Sequence, residues 1–306
     1  MTYNDYEFSV PSEKRIRVIT NTDAKNEADD QFAIVQTLLS PKFDNVGLIA
    51  AHFGTARVLD SMEQSYAELE TVMDKMHLNK TGMLYRGATH AMPSRKEPVD
   101  SEGAQLIIRE AMKDNPSPLF VTFMGPLTDL GSALLIEPRI ANRLTAIWIG
   151  GGVYPNGCVE FNLSNDINAA NVVFASKVEL WQVPQNVYEM MAVSLAELEC
   201  RVRPCGDIGQ YLCDQLQAHS YEDLPRTSPF RTGETWVLGD NPSVGLMLYE
   251  HRNSYEYIPA PFISSDMAYI HSSRNRPIRV YKSIDSRLIL EDMYCKLALF
   301  AQKQKA

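Results

Sequence analysis

Between Arg15 and Val183 the chain alternates short apolar runs with longer segments whose apolar residues recur at three- and four-residue steps. That alternation restricts the fold more than any other feature of the sequence. The runs at 15–20, 46–53, 83–85, 119–124, 146–149 and 179–183 read as strands. Residues 29–40 read as a helix burying Phe32, Val35, Leu38 and Leu39. Residues 57–77 read as a long helix with Val58, Met62, Tyr66, Leu69, Met73 and Met76 on one face, and further helices fall near 101–114, 128–143 and 167–176. Strand–helix–strand units close through right-handed crossovers, so the expected fold is α/β, an open, mostly parallel sheet with helices on both faces. Such sheets bind ligands at the carboxyl ends of their strands. From about Ser194 the pattern changes to helices and irregular loops, with Pro and Ser around 224–230, before a strand at 277–283 and a helix from Ser286. No internal repeat, low-complexity tract or linker interrupts the chain, which is read as one domain over residues 1–306.

Charge and composition narrow the classes of function. Hydrophobic residues make up 45% of the chain, enough for a sizeable core, so disorder is excluded as the main state. The formal charge is -9, from 29 basic and 38 acidic residues, and a nucleic-acid partner would want a basic face instead. The first residues show no basic stretch leading into an apolar one, as a signal peptide would need, and no apolar run approaches the ~20 residues of a membrane span. The expectation is a cytoplasmic protein acting on a small molecule. Cys158, Cys200, Cys205, Cys213 and Cys295 are an odd set, expected as free thiols in a reducing compartment. The gaps between Cys200, Cys205 and Cys213 match no common zinc spacing, even with His219 nearby.

Chemistry concentrates at the end of the first strand, in Asn21-Thr22-Asp23-Ala24-Lys25-Asn26-Glu27-Ala28-Asp29-Asp30. Hard divalent cations take several oxygen ligands, carboxylates among them, and a strand-end loop can place Asp23 and Asp30 on two sides of one ion. The alternative is a polar turn in which Asp29 and Asp30 merely favour the helix dipole. A phosphatase with an aspartyl nucleophile would need a carboxylate where Asn21 stands. Three more segments follow: Thr122 to Leu130 (TFMGPLTDL), with Thr128 placed to cap the next helix; Ile147 to Val153 (IWIGGGV), a buried strand ending in glycines; and Glu160-Phe161-Asn162 leading to Asp166-Ile167-Asn168-Ala169-Ala170.

In this order the segments resemble the inosine–uridine-preferring nucleoside hydrolase family. That family starts on Asp-Thr-Asp, three residues, then Asp-Asp. It continues with a Gly-Pro-Leu-Thr-Asn turn, a Met-Gly-Gly strand end, and Glu-Phe-Asn followed by Asp-Pro-(x)-Ala-Ala. The likeness covers roughly residues 15–300. It implies an open α/β sheet, hydrolysis of the N-glycosidic bond of a ribonucleoside or related N-riboside, a bound Ca²⁺, and a homo-oligomer (dimer or tetramer). By the same resemblance Asp23 both ligates calcium and takes the proton of the attacking water. Asp30, the carbonyl of Met124 and Asp240 of Leu238-Gly239-Asp240-Asn241-Pro242 complete the protein ligands. Glu160 and Asn162 match residues that hold the ribose hydroxyls. Asn156, on a shorter loop than the family's, matches a further sugar-contacting asparagine.

Four positions depart from the pattern. Five residues separate Asp23 from Asp29 where the family has three, which makes Asn26 and Glu27 candidates for extra ligands. Asn21 replaces the leading aspartate, a loss of charge near the ion. Gly54-Thr55 replaces a Gly-Asn that reaches the nucleoside. Gly239 stands where many members carry a histidine that protonates the departing base. His52 and His90 are then candidates for the same rim, weighed against packing and surface roles, and Trp236 is expected in the core rather than on a base. The expected activity is a calcium-dependent N-ribohydrolase; the alternative is a riboside-binding protein on the same scaffold, weakly catalytic or not at all.

Overall fold

A computed structural model describes residues 1–56, 58–220, 233–249 and 254–304. Arg57 of the expected long helix and the Pro/Ser stretch at 224–230 lie outside the described residues. In chain order the strands are β1 (Ile16–Thr22), β2 (Phe43–Ala50), β3 (Leu84–Arg86), β4 (Leu119–Phe123), β5 (Thr145–Ile149), β6 (Glu179–Val183), β7 (Ala192–Ser194), β8 (Thr235–Val237), β9 (Tyr255–Pro259), β10 (Phe262–Ile263), β11 (Tyr269–Ile270) and β12 (Pro277–Tyr281). The α-helices are α1 (Asp30–Leu38), α2 (Ser61–Lys75), α3 (Glu102–Met112), α4 (Thr128–Ile136), α5 (Phe161–Asn165), α6 (Ile167–Ala175), α7 (Gln185–Tyr188), α8 (Leu195–Arg201), α9 (Gly206–Ser220), α10 (Pro242–Leu248) and α11 (Ser286–Gln304).

Eight strands form one sheet in the order β3-β2-β1-β4-β5-β6-β12-β9. All neighbours are parallel except β12 and β9, an antiparallel edge. The period-two alternation of each strand divides two cores. Val18, Leu48, Ile147 and Ile149 face one core with residues of α1, α2, α9, α10 and α11, while Ile19, Ile49, Val121 and Trp148 face another with α3, α4 and α6. Helix α1 is buried along its whole length, so its polar residues need partners inside the protein. Gln36 supplies one such tie, donating to Asp292 Oδ2 at 2.8 Å and accepting from Asn241 Nδ2 at 2.8 Å.

The alternation read from the sequence is thus the observed fold class, with local differences. Strand β2 starts at Phe43 and ends at Ala50, so His52 and Phe53 lie beyond it. The expected helix at 128–143 breaks: α4 ends at Ile136 and a 3₁₀ turn, Pro138–Asn142, follows, because Pro138 cannot donate to a continuing α-helix. Thr128 does not cap α4. It is the first helical residue, and its hydroxyl donates instead to Asp166 Oδ2 at 2.8 Å. All five cysteines are free thiols. Among the described residues no helix is long and apolar enough to cross a membrane.

Candidate active site

After β1 the chain builds outward through β2 and β3, then returns to place β4 on the other side of β1. A crevice opens where strand order reverses in this way, outside the carboxyl ends of the two strands. Asn21 pairs with Phe123 in the β1–β4 ladder, so Asp23 and Met124 emerge side by side. Close approach sets the next residue. A methyl group built on Gly125 would sit 2.8 Å from Asp23 Cγ, so only glycine lets this turn pass beneath the carboxylate.

The cavity at this point, about 450 Å³, is lined by Asp23, Glu27, Asp29, Asp30, Met124, Glu160, Asn162 and Asp240 together with residues of α7 and the loop before α10. Asp23, Asp30 and Asp240, expected as ligands, are therefore brought together from residues far apart in sequence. Carboxylate oxygens of Asp29, Asp30 and Asp240 lie within 4.8 Å of one another. Asp29 does more than the alternative reading, which left it and Asp30 to the helix dipole, would require: its carboxylate makes no cap bond and accepts from the backbone N–H groups of Gly239 and Asp240. Glu27, supplied by the longer loop, hydrogen-bonds Asp29 and also lines the cavity. Lys25, in the same loop, points away to Glu68 Oε2 at 2.9 Å.

Burial first, and mutual repulsion second, push the carboxyls of Asp23, Glu27 and Asp240 well above the usual range. Asp30 is raised in the same way, and Thr22 and Asp240 hydrogen bonds oppose the rise. Asp29 is pushed up to about 6, chiefly by burial. Asp23 Oδ2 is buried without a hydrogen-bond partner. Among the described residues lining the cavity none is Lys, Arg or His. Five acidic groups, one of them with an orphaned oxygen, and a backbone carbonyl form a donor set made only of oxygen, which fits a hard divalent cation.

Glu160 and Asn162 reach the same cavity but already hold the backbone. Glu160 accepts from Gly151 N at 2.7 Å, Leu163 N at 2.9 Å, Asn162 N at 3.1 Å and the Tyr188 hydroxyl at 3.1 Å, which caps α5 and ties it to the glycine strand end. Burial raises its pKa against those hydrogen bonds. Asn162 Nδ2 donates to Met124 O at 3.0 Å and Ile149 O at 2.9 Å, fixing the carbonyl expected as a ligand.

The remaining candidates do not converge. Asn156 is exposed on the turn whose backbone carbonyl accepts from Tyr269 N at 2.8 Å, and it does not line the cavity. His52 is buried and also outside the lining: Nε2 donates to Thr128 Oγ1 at 2.8 Å while Nδ1 accepts from Gly54 N at 3.1 Å. That pairing makes it a neutral packing histidine, and burial, with His90 adding to it, lowers its pKa to about 4. His90 is exposed beside Thr89, and Thr55 is exposed as well. Trp236 is buried against the His219 ring, as expected of a core residue. Tyr188, Gln185 and Glu189, which no sequence motif marked, line the cavity instead.

A model of the inosine-uridine preferring nucleoside hydrolase family matches residues 18–251. The chain belongs to this family. A probable uridine nucleosidase 2 of Arabidopsis thaliana is 26% identical over 228 residues, 67% of this chain and 70% of the relative. An inosine-uridine preferring nucleoside hydrolase of Leishmania major is 32% identical over 143 residues, 44% of each chain. A purine-preferring ribonucleoside hydrolase from Gardnerella vaginalis shares the fold, with a TM-score of 0.73 at 19% identity over 94% of this chain and 99% of its own.

Against the nucleoside hydrolase pattern, one departure is corrected by the structure. Asn21 does not leave the site short of a charge. Its Nδ2 donates at 2.7 Å to Asp129 Oδ2, and Asp129 occupies the position of the family's turn asparagine. Relative to the family's motifs asparagine and aspartate have exchanged places, and in this chain the two form a buried amide–carboxylate pair. The Gly239 departure has a structural counterpart too: a methyl group there would stand 3.2 Å from the Tyr188 ring and 3.3 Å from Asp29 Oδ2. In this nucleoside hydrolase, Tyr188 borders the position where many members carry histidine.

Proposed function

We propose that residues 1–306 form one nucleoside hydrolase-like domain that hydrolyses the N-glycosidic bond of a ribonucleoside or related N-riboside. Asp23, Asp30, Asp240 and the Met124 carbonyl would hold Ca²⁺, and Asp23 would be the general base. The observation that carries this reading is the orphaned Asp23 Oδ2 inside a buried, mutually repelling carboxylate cluster at the sheet's switch point. When bound, Ca²⁺ supplies the charge that lowers the pKa of a water and helps hold vicinal sugar hydroxyls. Asp23 takes the water's proton on its unpartnered oxygen. Asn162, its amide nitrogen fixed on Met124 and Ile149, keeps Oδ1 to accept from a sugar hydroxyl. Asp29, anchored on the Gly239 and Asp240 backbone, faces the same hydroxyls. The carboxylates around the sugar stabilise the positive charge that develops on the ring as the C1′–N bond breaks.

The test is release of ribose from a panel of ribosides with Ca²⁺ present. Asp23→Asn should lower kcat by about 10²–10⁴-fold with the fold intact by circular dichroism. A variant as fast as the parent removes Asp23 as the base, and no turnover of any riboside overturns hydrolysis as the function.

A further inference from the structure

The cavity changes character from floor to mouth. Asp23 is 1% exposed, Asp30 2% and Asp240 4%, whereas Val159 at the mouth is 71% exposed. If the sugar sits on the floor, as the proposed function requires, the leaving group lies at the mouth. There it meets the Tyr188 ring, the apolar side chains of Val159 and Val237, and the carboxylate of Glu189. Glu189 is exposed and immediately follows α7, and its Oε1 accepts from Gln185 Nε2 at 3.0 Å. Gly239 places no side chain on this wall, and the Tyr188 hydroxyl is already donated to Glu160 at 3.1 Å. In all, seven acidic residues line the cavity (Asp23, Glu27, Asp29, Asp30, Glu160, Glu189, Asp240), and no cationic side chain stands among its described lining residues.

We propose that the leaving group is a cationic aromatic nitrogen heterocycle, so that the substrate class is the N-ribosylpyridinium type, with Tyr188 and Glu189 as the residues that select it. An aromatic wall with a carboxylate at its rim favours a flat cation over a neutral ring. The chemistry balances without a general acid. Water adds its hydroxyl to C1′ and gives its proton to Asp23. The C1′–N electron pair stays on the ring nitrogen, which turns the pyridinium into neutral pyridine. The products are ribose, the neutral heterocycle and one proton.

The inference rests on the proposed hydrolysis, and one experiment separates the two. With the full chain and saturating Ca²⁺, kcat/KM is measured for N-ribosylpyridinium, inosine and uridine. Competition by N-methylpyridinium and by pyridine removes the intrinsic lability of the charged riboside from the comparison. The expected result is kcat/KM about tenfold or more higher for the pyridinium riboside, with the methylated cation inhibiting at roughly fivefold or more lower concentration than pyridine. In Glu189→Gln both ratios should narrow by about threefold. Inosine or uridine turned over as well as the cation, or pyridine competing equally, overturns this inference and leaves hydrolysis standing. No turnover of any of the three overturns both.

Discussion

A buried carboxylate keeps its charge only where enough donors surround it, and Asp129 shows how narrowly that condition is met. Its partners are Asn21 Nδ2 at 2.7 Å, Ala88 N at 2.9 Å and Ser101 Oγ at 2.6 Å, and burial still raises its pKa. Asn21→Asp would set a second carboxylate against it with no cation between them. We expect that variant to lose about 2–4 kcal/mol in urea denaturation, and Asn21→Asp with Asp129→Asn to recover most of the loss. A double variant no more stable than Asn21→Asp alone would show that the two positions are not exchangeable. Both residues stand in the sequence, but their pairing spans two strands and a helix start. The exchange becomes visible only when β1 and β4 lie side by side.

At the scale of elements, the end of β2, the start of α4 and the start of α6 are tied by one chain of hydrogen bonds. His52 donates to Thr128, Thr128 to Asp166, and Asp166 accepts from Ala169 N to cap α6. His52 must stay neutral for its Nδ1 to accept from Gly54 N while Nε2 donates into this chain. Its folded pKa, about 4, lies below the ordinary 6.5, so the unfolded chain binds the extra proton first and stability falls as pH drops through that window. His52→Gln should therefore lose less stability than the parent between pH ~6.5 and ~4, the gap reaching roughly 3 kcal/mol in denaturation midpoints across pH. Parallel curves would show that His52 does not titrate this way. Sequence periodicity located β6 and the buried face of α1, because strong apolar patterns report burial directly. It missed the antiparallel edge β9, whose side chains are exposed or half-buried, and the short pairs β7–β8 and β10–β11, too brief to show a period.

For the molecule as a whole, the carboxylate cluster links stability to the cation. Its raised pKa values mean that the cation-free fold binds protons the unfolded chain releases, so that stability is present at low pH and lost as pH rises through those values, Asp29 at about 6 among them. A bound divalent cation removes that loss. The rise in Tm on adding Ca²⁺ over chelator should grow between pH ~5 and ~7, toward about 3 kcal/mol of added stability at a hundredfold excess over Kd. A rise independent of pH would mean that the cation does not displace these protons. Local sequence determined the strand–helix alternation, the acidic strand-end loop and the ordered motifs, because each rests on neighbours within a few residues. Tertiary structure alone decided which acids share the cavity. It brought Asn26 and Glu27, the candidates of the longer loop, into the lining with Asp29, tied Glu160 and Asn162 to the backbone within it, and left Asn156, His52 and His90 outside. The physical reason is that ligand sets and charge coupling depend on distances between segments, here Asp23 and Asp240, which only packing against the sheet brings within reach of one ion.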